Sequence, residues 1–279
     1  MGLHCPPAAA WNPLGHKVVC EIAWQQLEPE TRKQIADTLK RHPRFAEDFA
    51  PQMPAEETDR WIFWQAGFWP DIARGIPEEV RDQYNKPTWH YVDHPVFLGP
   101  ERPVDFNLDT APSGSDANWN VYQATRHSSE IIKSDAPPQE KAVAYCWLFH
   151  LVGDMHQPLH CVALVCDRFP TGDKGGSILK VVHEKEDLHS LWDCLLGNEH
   201  TRGDKRSRSI TSAIQLSLGR ADPLAQILRL PTTFVQSAGD CSCPMFPPPL
   251  TLGRHSGLRR RASCILLPIP LPATERHSK

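Results

Sequence analysis

The sequence predicts an all-α protein with an irregular C-terminal tail. Apolar residues recur at helical spacing in several segments, as in Val18, Val19, Ile22, Ala23 and Leu27. Helix punctuation brackets these segments, with Pro29 and Pro137-Pro138 at starts and Gly197 at an end. There is no strand-rich section, internal repeat or glycine-rich phosphate loop. A chain of 279 residues suits one large domain or two small ones and can bury a core.

Taken in order, a first helix is expected over 11–27. A second opens at Pro29, turns Ile35 and Leu39 to one face and closes at His42-Pro43. Residues 44–58 read as loop. The aromatic run of Trp61, Phe63, Trp64, Phe68 and Trp69 reads as core, followed by a turn at Trp69-Pro70-Asp71. Residues 85–95 read as extended or turn, and 96–120 as loop. A helix is expected over 118–133. The next, over 138–156, is capped by Ser134 or Asp135, with the two prolines in its first turn. Residues 161–182 lack helical rhythm. A last helix runs from Asp187 to Gly197 as C-cap. Beyond 197, Pro247-Pro248-Pro249 and Arg259-Arg260-Arg261 accompany no amphipathic pattern, apart from a possible helix over 210–230. The region reads as a basic, Pro-rich tail, disordered or non-homologous. The organisation is thus a leader remnant over 1–10, a domain over 11–197 and a tail over 198–279.

The overall charge of −3 hides an asymmetry. Residues 198–279 carry 12 basic and 5 acidic groups, and residues 1–197 carry 18 and 28. So acidic a body binds nucleic acid only if cations offset it, as zinc ions would. No apolar run approaches the roughly 18 residues of a membrane span, so no stable membrane association is expected. The nine cysteines lack zinc-finger spacing, and being odd in number leave at least one thiol outside intramolecular pairing. Cys146, Cys161 and Cys166 are candidate disulfide partners, which would suit an exported protein. Ala8-Ala9-Ala10 before Trp11 resembles a small-residue cleavage site, yet no basic segment or apolar core precedes it. The expectation is that the true start lies upstream of Met1.

The chain is organised around 150–160. His150 and Asp154, four apart on one helix, share a face, so imidazole and carboxylate can meet on one cation. His156 falls about 120° away. Pro158 breaks the helix and frees His160 for a different cation nearby, with Asp154 between the two. The last helix repeats the pattern with His189 and Asp193. His16, Asp71 and His90 add donors. Imidazole and carboxylate are zinc donors, and this set exceeds what one tetrahedral ion needs, which points to a cluster.

Trp11 with His16, Trp69-x-Asp71, His90-Tyr91, the run from His150 through Asp154 and His156-Gln157-Pro158-Leu159 to His160, and His189-x-x-Trp192-Asp193 occur together in order. Over about 11–197 this closely resembles the S1/P1-type zinc nucleases, secreted enzymes sharing an all-helical fold with zinc-dependent phospholipase C. The resemblance implies three zinc ions: one on Asp71, His90, His150 and Asp154; one on His160, His189 and Asp193; one on His16, Asp154 and the amino group and carbonyl of a mature N-terminal Trp11. A peptide-bonded Trp11 nitrogen is an amide and a poor ligand, so retaining residues 1–10 would impair the third site. Asp154 and Arg74 are the implied catalytic residues, Arg74 contacting phosphate; its alternative is a surface salt bridge. Tyr91 is the implied base-stacking residue, and Asp93 either hydrogen-bonds the base or orients a ligand imidazole. The implied function is zinc-dependent hydrolysis of single-stranded DNA or RNA by metal-activated water, leaving 5′-phosphates, with possible 3′-nucleotidase activity. The implied protein is an extracytoplasmic monomer if a signal peptide precedes Trp11. The alternatives are a phospholipase C, which tends to carry Glu at the position of Asp193, and a catalytically impaired zinc-binding protein. Two departures stand out: Gly175-Gly176-Ser177 where the family commonly reads Gly-Gly-Asn, and the tail.

Overall fold

The structure, a computed structural model, describes residues 11–101, 103–105, 109–181 and 187–196. The expected leader over 1–10, the Gly197 C-cap, the helix over 210–230 and the basic tail lie outside the described residues.

Helix α1 (Pro13–Gln26) starts with Pro13 in its first turn, and its N-cap Asn12 accepts a hydrogen bond from the Gly15 N–H at 3.1 Å. Helix α2 (Pro29–Leu39) buries Ile35, Ala36 and Leu39. The segment expected to be loop over 44–58 instead forms a one-turn helix, α3 (Phe45–Asp48), and a 3₁₀ turn (Ala50–Gln52). Arg44 braces α3 through Asp48, and Phe49 is fully buried beneath it.

The aromatic run forms α4 (Thr58–Ile72), so the expected turn at Trp69-Pro70-Asp71 is replaced by continued helix. Pro70 sits in the last turn, where the missing N–H breaks only one ladder bond. Trp69, fully buried, anchors that turn, and its indole N–H donates to Asp48 Oδ2 at 2.9 Å. A short α5 (Glu78–Tyr84) follows, and Pro87–His90 form a 3₁₀ turn.

Helix α6 (Val121–Lys133) begins with a full capping box, Asn120 with Gln123. Helix α7 (Pro138–Met155) has Pro137 at its N-cap position and no side-chain cap; the Ser134 hydroxyl, expected to cap it, instead accepts the Ala136 N–H one turn too early, and Asp135 does not cap it either. Helix α8 (Pro158–Cys161) is a single turn, and α9 (Leu188–Asp193) is capped by Asp187. Strands β1 (His94–Phe97) and β2 (Val162–Val165) pair in parallel, with His94 opposite Val162. The parallel pairing requires the long crossover that α6 and α7 supply.

Helix α7 packs on α6, α4, α2 and α1 and divides two cores. On one side Cys146 joins Ile35, Leu39, Phe49, Ile62, Phe63 and Trp69. On the other Trp147 and Leu151 join Trp89, Val92, Trp119 and Val121. Cys146 and Cys166 are buried thiols, and Cys161 Sγ donates to the Met155 carbonyl at 3.4 Å, so the expected disulfide role of these three is not realised. No helix among the described residues is long and apolar enough to cross a membrane.

Candidate metal centre

With its flanks in the two cores, α7 presents His150 and Asp154, both fully buried. The two oxygens of Asp154 face different groups. Oδ2 lies 3.0 Å from His90 Nδ1 and 3.3 Å from His150 Nε2. Oδ1 lies 3.6 Å from His16 Nε2 and 3.9 Å from His160 Nδ1. Asp71, from the end of α4, sets Oδ1 3.9 Å from His150 Nε2 and accepts Arg74 Nε on that same oxygen at 2.8 Å. The His16 ring stacks on His150 with centroids 3.9 Å apart and planes at 14°. Helix α7 allows this approach because position 153 is glycine: a Cβ there would meet His16 Nδ1 at 2.7 Å.

A second group gathers His160, His189 and Asp193. His160 Nδ1 donates to the His90 carbonyl and His189 Nδ1 to the Gly175 carbonyl, each at 2.7 Å. A carbonyl only accepts, so these bonds set the tautomer of each neutral ring and leave both Nε2 atoms as bare lone pairs. Those atoms face each other at 3.0 Å, with Asp193 Oδ2 3.7 Å from His189 Nε2. Two lone pairs so close repel unless a cation or a proton lies between. A proton is disfavoured, because burial pushes His160 down to about 3. At His150, Nδ1 donates to the Gly67 carbonyl at 2.9 Å, which leaves Nε2 as an acceptor 3.0 Å from His90 Nδ1.

Three groupings bring their donor atoms within 4.8 Å of one another: His16, His150 and Asp154; Asp71, His90 and His150; His160, His189 and Asp193. Several of these atoms are buried without a hydrogen-bond partner, including both nitrogens of His16, His90 Nε2, Asp71 Oδ2 and Asp154 Oδ1. Buried polar atoms are rarely left so, and cations would engage the carboxylate oxygens and one nitrogen of each ring. The acid–base properties agree. Burial lifts Asp154 well above the ordinary carboxylate range, with the charge of Asp71 adding to it, and lifts Asp193 to about 8 and Asp71 to about 6. Burial also drives His16 and His90 well below the usual imidazole value, and His150 to about 3. Burial therefore favours the neutral, ligating form of His16, His90, His150 and His160, and the carboxylates lack a compensating positive charge beyond Arg74. The residue types, burial and bare atoms all fit metal ions.

Around this group, Tyr91 is 41% exposed and its neighbour Val92 donates to the His160 carbonyl at 2.9 Å, which holds the tyrosine at the rim between His90 and α8. Asp93 is half-buried, and burial together with the charge of Asp173 raises it to about 6. The Asn12 N–H donates to the Asp193 carbonyl at 3.2 Å, which brings the Trp11 segment against α9. His156 is exposed and bonded to the Val152 carbonyl, turned away from the group as its helical phase requires. His94 meets the Tyr122 hydroxyl at 3.2 Å. Sequence reasoning did not find the carbonyls of Gly67, His90 and Gly175 that orient the imidazoles. A backbone acceptor leaves no residue-type signal; the Gly175-Gly176 pair was the one trace.

Such a mostly helical domain, with five imidazoles and three carboxylates gathered beside Arg74, is a candidate metal protein. The chain belongs to the S1/P1 nuclease family, whose model matches residues 11–228. It is 27% identical to endonuclease 4 of Arabidopsis thaliana over 199 residues, 68% of this chain and 56% of that protein. It is 22% identical to nuclease S1 of Aspergillus oryzae over 205 residues, covering 73% and 60%, and 20% identical to nuclease P1 of Penicillium citrinum over 254 residues, covering 85% and 82%. The chain thus spans little more than half the length of its Arabidopsis relative.

Proposed function

We propose that this chain is a zinc-dependent endonuclease that hydrolyses phosphodiester bonds of single-stranded DNA or RNA to 5′-phosphate products, with 3′-nucleotidase activity as a second outlet of the same site. The observation that carries this reading is the pair of bare Nε2 atoms of His160 and His189, 3.0 Å apart beside Asp193. In this reading Asp71, His90, His150 and Asp154 hold one zinc, and His160, His189 and Asp193 hold another. His16, Asp154 and the main chain of Trp11 hold a third, Asp154 being shared. When loaded, such a centre supplies Lewis acidity toward a phosphodiester and deprotonation of water near neutral pH.

The chain's own groups supply the rest. Arg74 spends Nε on Asp71, and its two terminal nitrogens remain for a phosphate; its side chain is 34% exposed, within reach of a ligand. The same bond positions Asp71 with Oδ2 turned free of protein partners. Tyr91 offers an exposed ring on which an unpaired base stacks, which favours single strands because a duplex hides base faces. Asp93, balanced near pH 6, can donate to or accept from a base edge.

The test assays the full chain on single-stranded DNA, single-stranded RNA, duplex DNA and phosphatidylcholine vesicles, with zinc counted by mass spectrometry. The expected result is cleavage of single strands with 5′-phosphate ends and about three zinc for chain 11–279. Chain 1–279 should hold about two, because its Trp11 nitrogen is an amide. Both His150→Ala and Asp154→Ala should lower the rate by at least about 10³-fold, Asp154→Ala losing more zinc because it is shared. Hydrolysis of the lipid alone would replace the reading with a phospholipase C. Full zinc with no turnover on any substrate would leave a zinc-binding protein.

A further inference from the structure

One buried polar side chain beside the ligands has no part in this chemistry. Gln157 is fully buried and stands between two motifs. Its N–H donates to the Asp154 carbonyl at 2.9 Å, and its own carbonyl accepts the His160 N–H at 3.0 Å. Its side chain does two further things. Oε1 accepts the Leu159 N–H at 2.6 Å as the N-cap of α8, and Nε2 donates to Asp193 Oδ1 at 2.8 Å. The Leu159 N–H dictates the orientation of the amide: it needs an acceptor, which sets Oε1 there and turns Nε2 to Asp193. Glutamine meets both demands. An ionised glutamate lacks the donor, a leucine lacks both groups, and an asparagine is one methylene shorter.

The consequences converge on one group of donors. With Oδ1 of Asp193 engaged, Oδ2 is the oxygen left on the His189 side. With α8 capped, the ring of His160, carried three residues later, is set against the His90 carbonyl. The Gly175 loop, whose carbonyl orients His189, packs against that same first turn: a Cβ at Gly175 would meet the Leu159 carbonyl oxygen at 2.2 Å.

We propose that Gln157 is the positioning residue of the His160–His189–Asp193 group: one amide engages one oxygen of Asp193 and caps the helix of His160, so the group stands assembled for a divalent cation. Hydrogen-bond partners of ligands act this way in metal sites, and losing one weakens metal binding by about 10–100-fold. This inference rests on the metal-centre reading above.

The experiment titrates metal-stripped full-length protein with zinc against a chelator, and separately with cobalt to record its visible absorption, for wild type, Gln157→Leu and Gln157→Glu. Circular dichroism and melting of the metal-free forms monitor folding. In Gln157→Leu one metal equivalent should bind about 10–100-fold more weakly with an altered cobalt band, while the remaining equivalents keep wild-type affinity. Wild-type affinity and spectrum in a folded Gln157→Leu, or equal weakening of every equivalent, would overturn the role. If Gln157→Leu does not fold, Gln157→Glu decides. It keeps the size and the acceptor for Leu159 but sets a negative charge against Asp193, so one weakened equivalent is expected and wild-type binding overturns the proposal. Failure of both variants to fold also overturns it, since Gln157 would then be a determinant of the fold rather than of the site. A wild-type chain that takes up no zinc sinks the metal-centre reading itself, an outcome separate from all of these.

Discussion

At the scale of single residues, the centre depends on positions that carry no ligand atom. Gly175 has φ +57°, and any Cβ there would run into the Leu159 carbonyl oxygen at 2.2 Å. Gly175→Ala therefore carries both backbone strain and a backbone clash. It should lower stability by about 2–4 kcal/mol and move the carbonyl that orients His189. Chemical denaturation reads the first effect, and zinc content the second. An alanine variant as stable as wild type would show that the loop relaxes without disturbing α8. At Gly153 the same reasoning concerns a proposed ligand directly, since a Cβ would press on His16 Nδ1 and lift that ring from His150.

At the scale of elements, α1 is held to α4 by a buried charge rather than by apolar contact alone. Glu21 of α1 accepts Arg60 Nε at 2.9 Å and the Trp64 indole N–H at 2.8 Å, both from α4, and Gln25 Nε2 at 2.7 Å. Burial pushes the Glu21 carboxyl up, but these donors, Arg60 foremost, outweigh it and leave it below its ordinary value. A carboxyl lowered in the fold contributes stability that is present above its unfolded value near 4.5 and is lost as pH falls through the folded value. Glu21→Gln should cost about 1–3 kcal/mol at pH 7 and shrink the difference from wild type below pH 4. Melting curves from pH 3 to 7 would check this, and a gap unchanged with pH would refute the ionic origin. Because α1 carries His16, a loosened α1 should also weaken zinc retention.

At the scale of the whole molecule, the acidic body meets the buried metal groups. Stripped of metal, Asp193 keeps its proton to about 8, whereas an unfolded chain releases it near 3.8. The raised carboxyl therefore contributes stability that is full below the unfolded value and is lost as pH climbs through the folded one. His150 and His160, lowered to about 3, act in the opposite sense only below about 6.5, so the carboxyl slope stands alone above that pH. Metal-free protein should accordingly melt at lower temperature as pH rises from 6.5 to 8. In the proposed reading zinc would ligate the ionised carboxylate, so its addition should abolish or invert that slope. Calorimetry with and without a chelator checks it; identical slopes would mean that these groups do not hold the metal.

The sequence by itself determined the helical class, most helix positions and the residue types of the candidate centre, because helical spacing and His-x-x-x-Asp spacing are local properties of a chain. It also put His156 off the ligand face, since helical phase is arithmetic. What it missed is where distant packing overrides local signals. Within 44–58, Phe45–Asp48 and Ala50–Gln52 turn helical over a buried Phe49, and α4 runs through Pro70 because Trp69 is anchored in the core. Ser134 reads as a cap but is engaged one turn too early. Only the tertiary structure decided which donors converge and which nitrogen each imidazole presents. Gly67, His90 and Gly175 set the tautomers through their carbonyls, and those carbonyls reach the rings only when segments 14 to 83 residues apart are packed together.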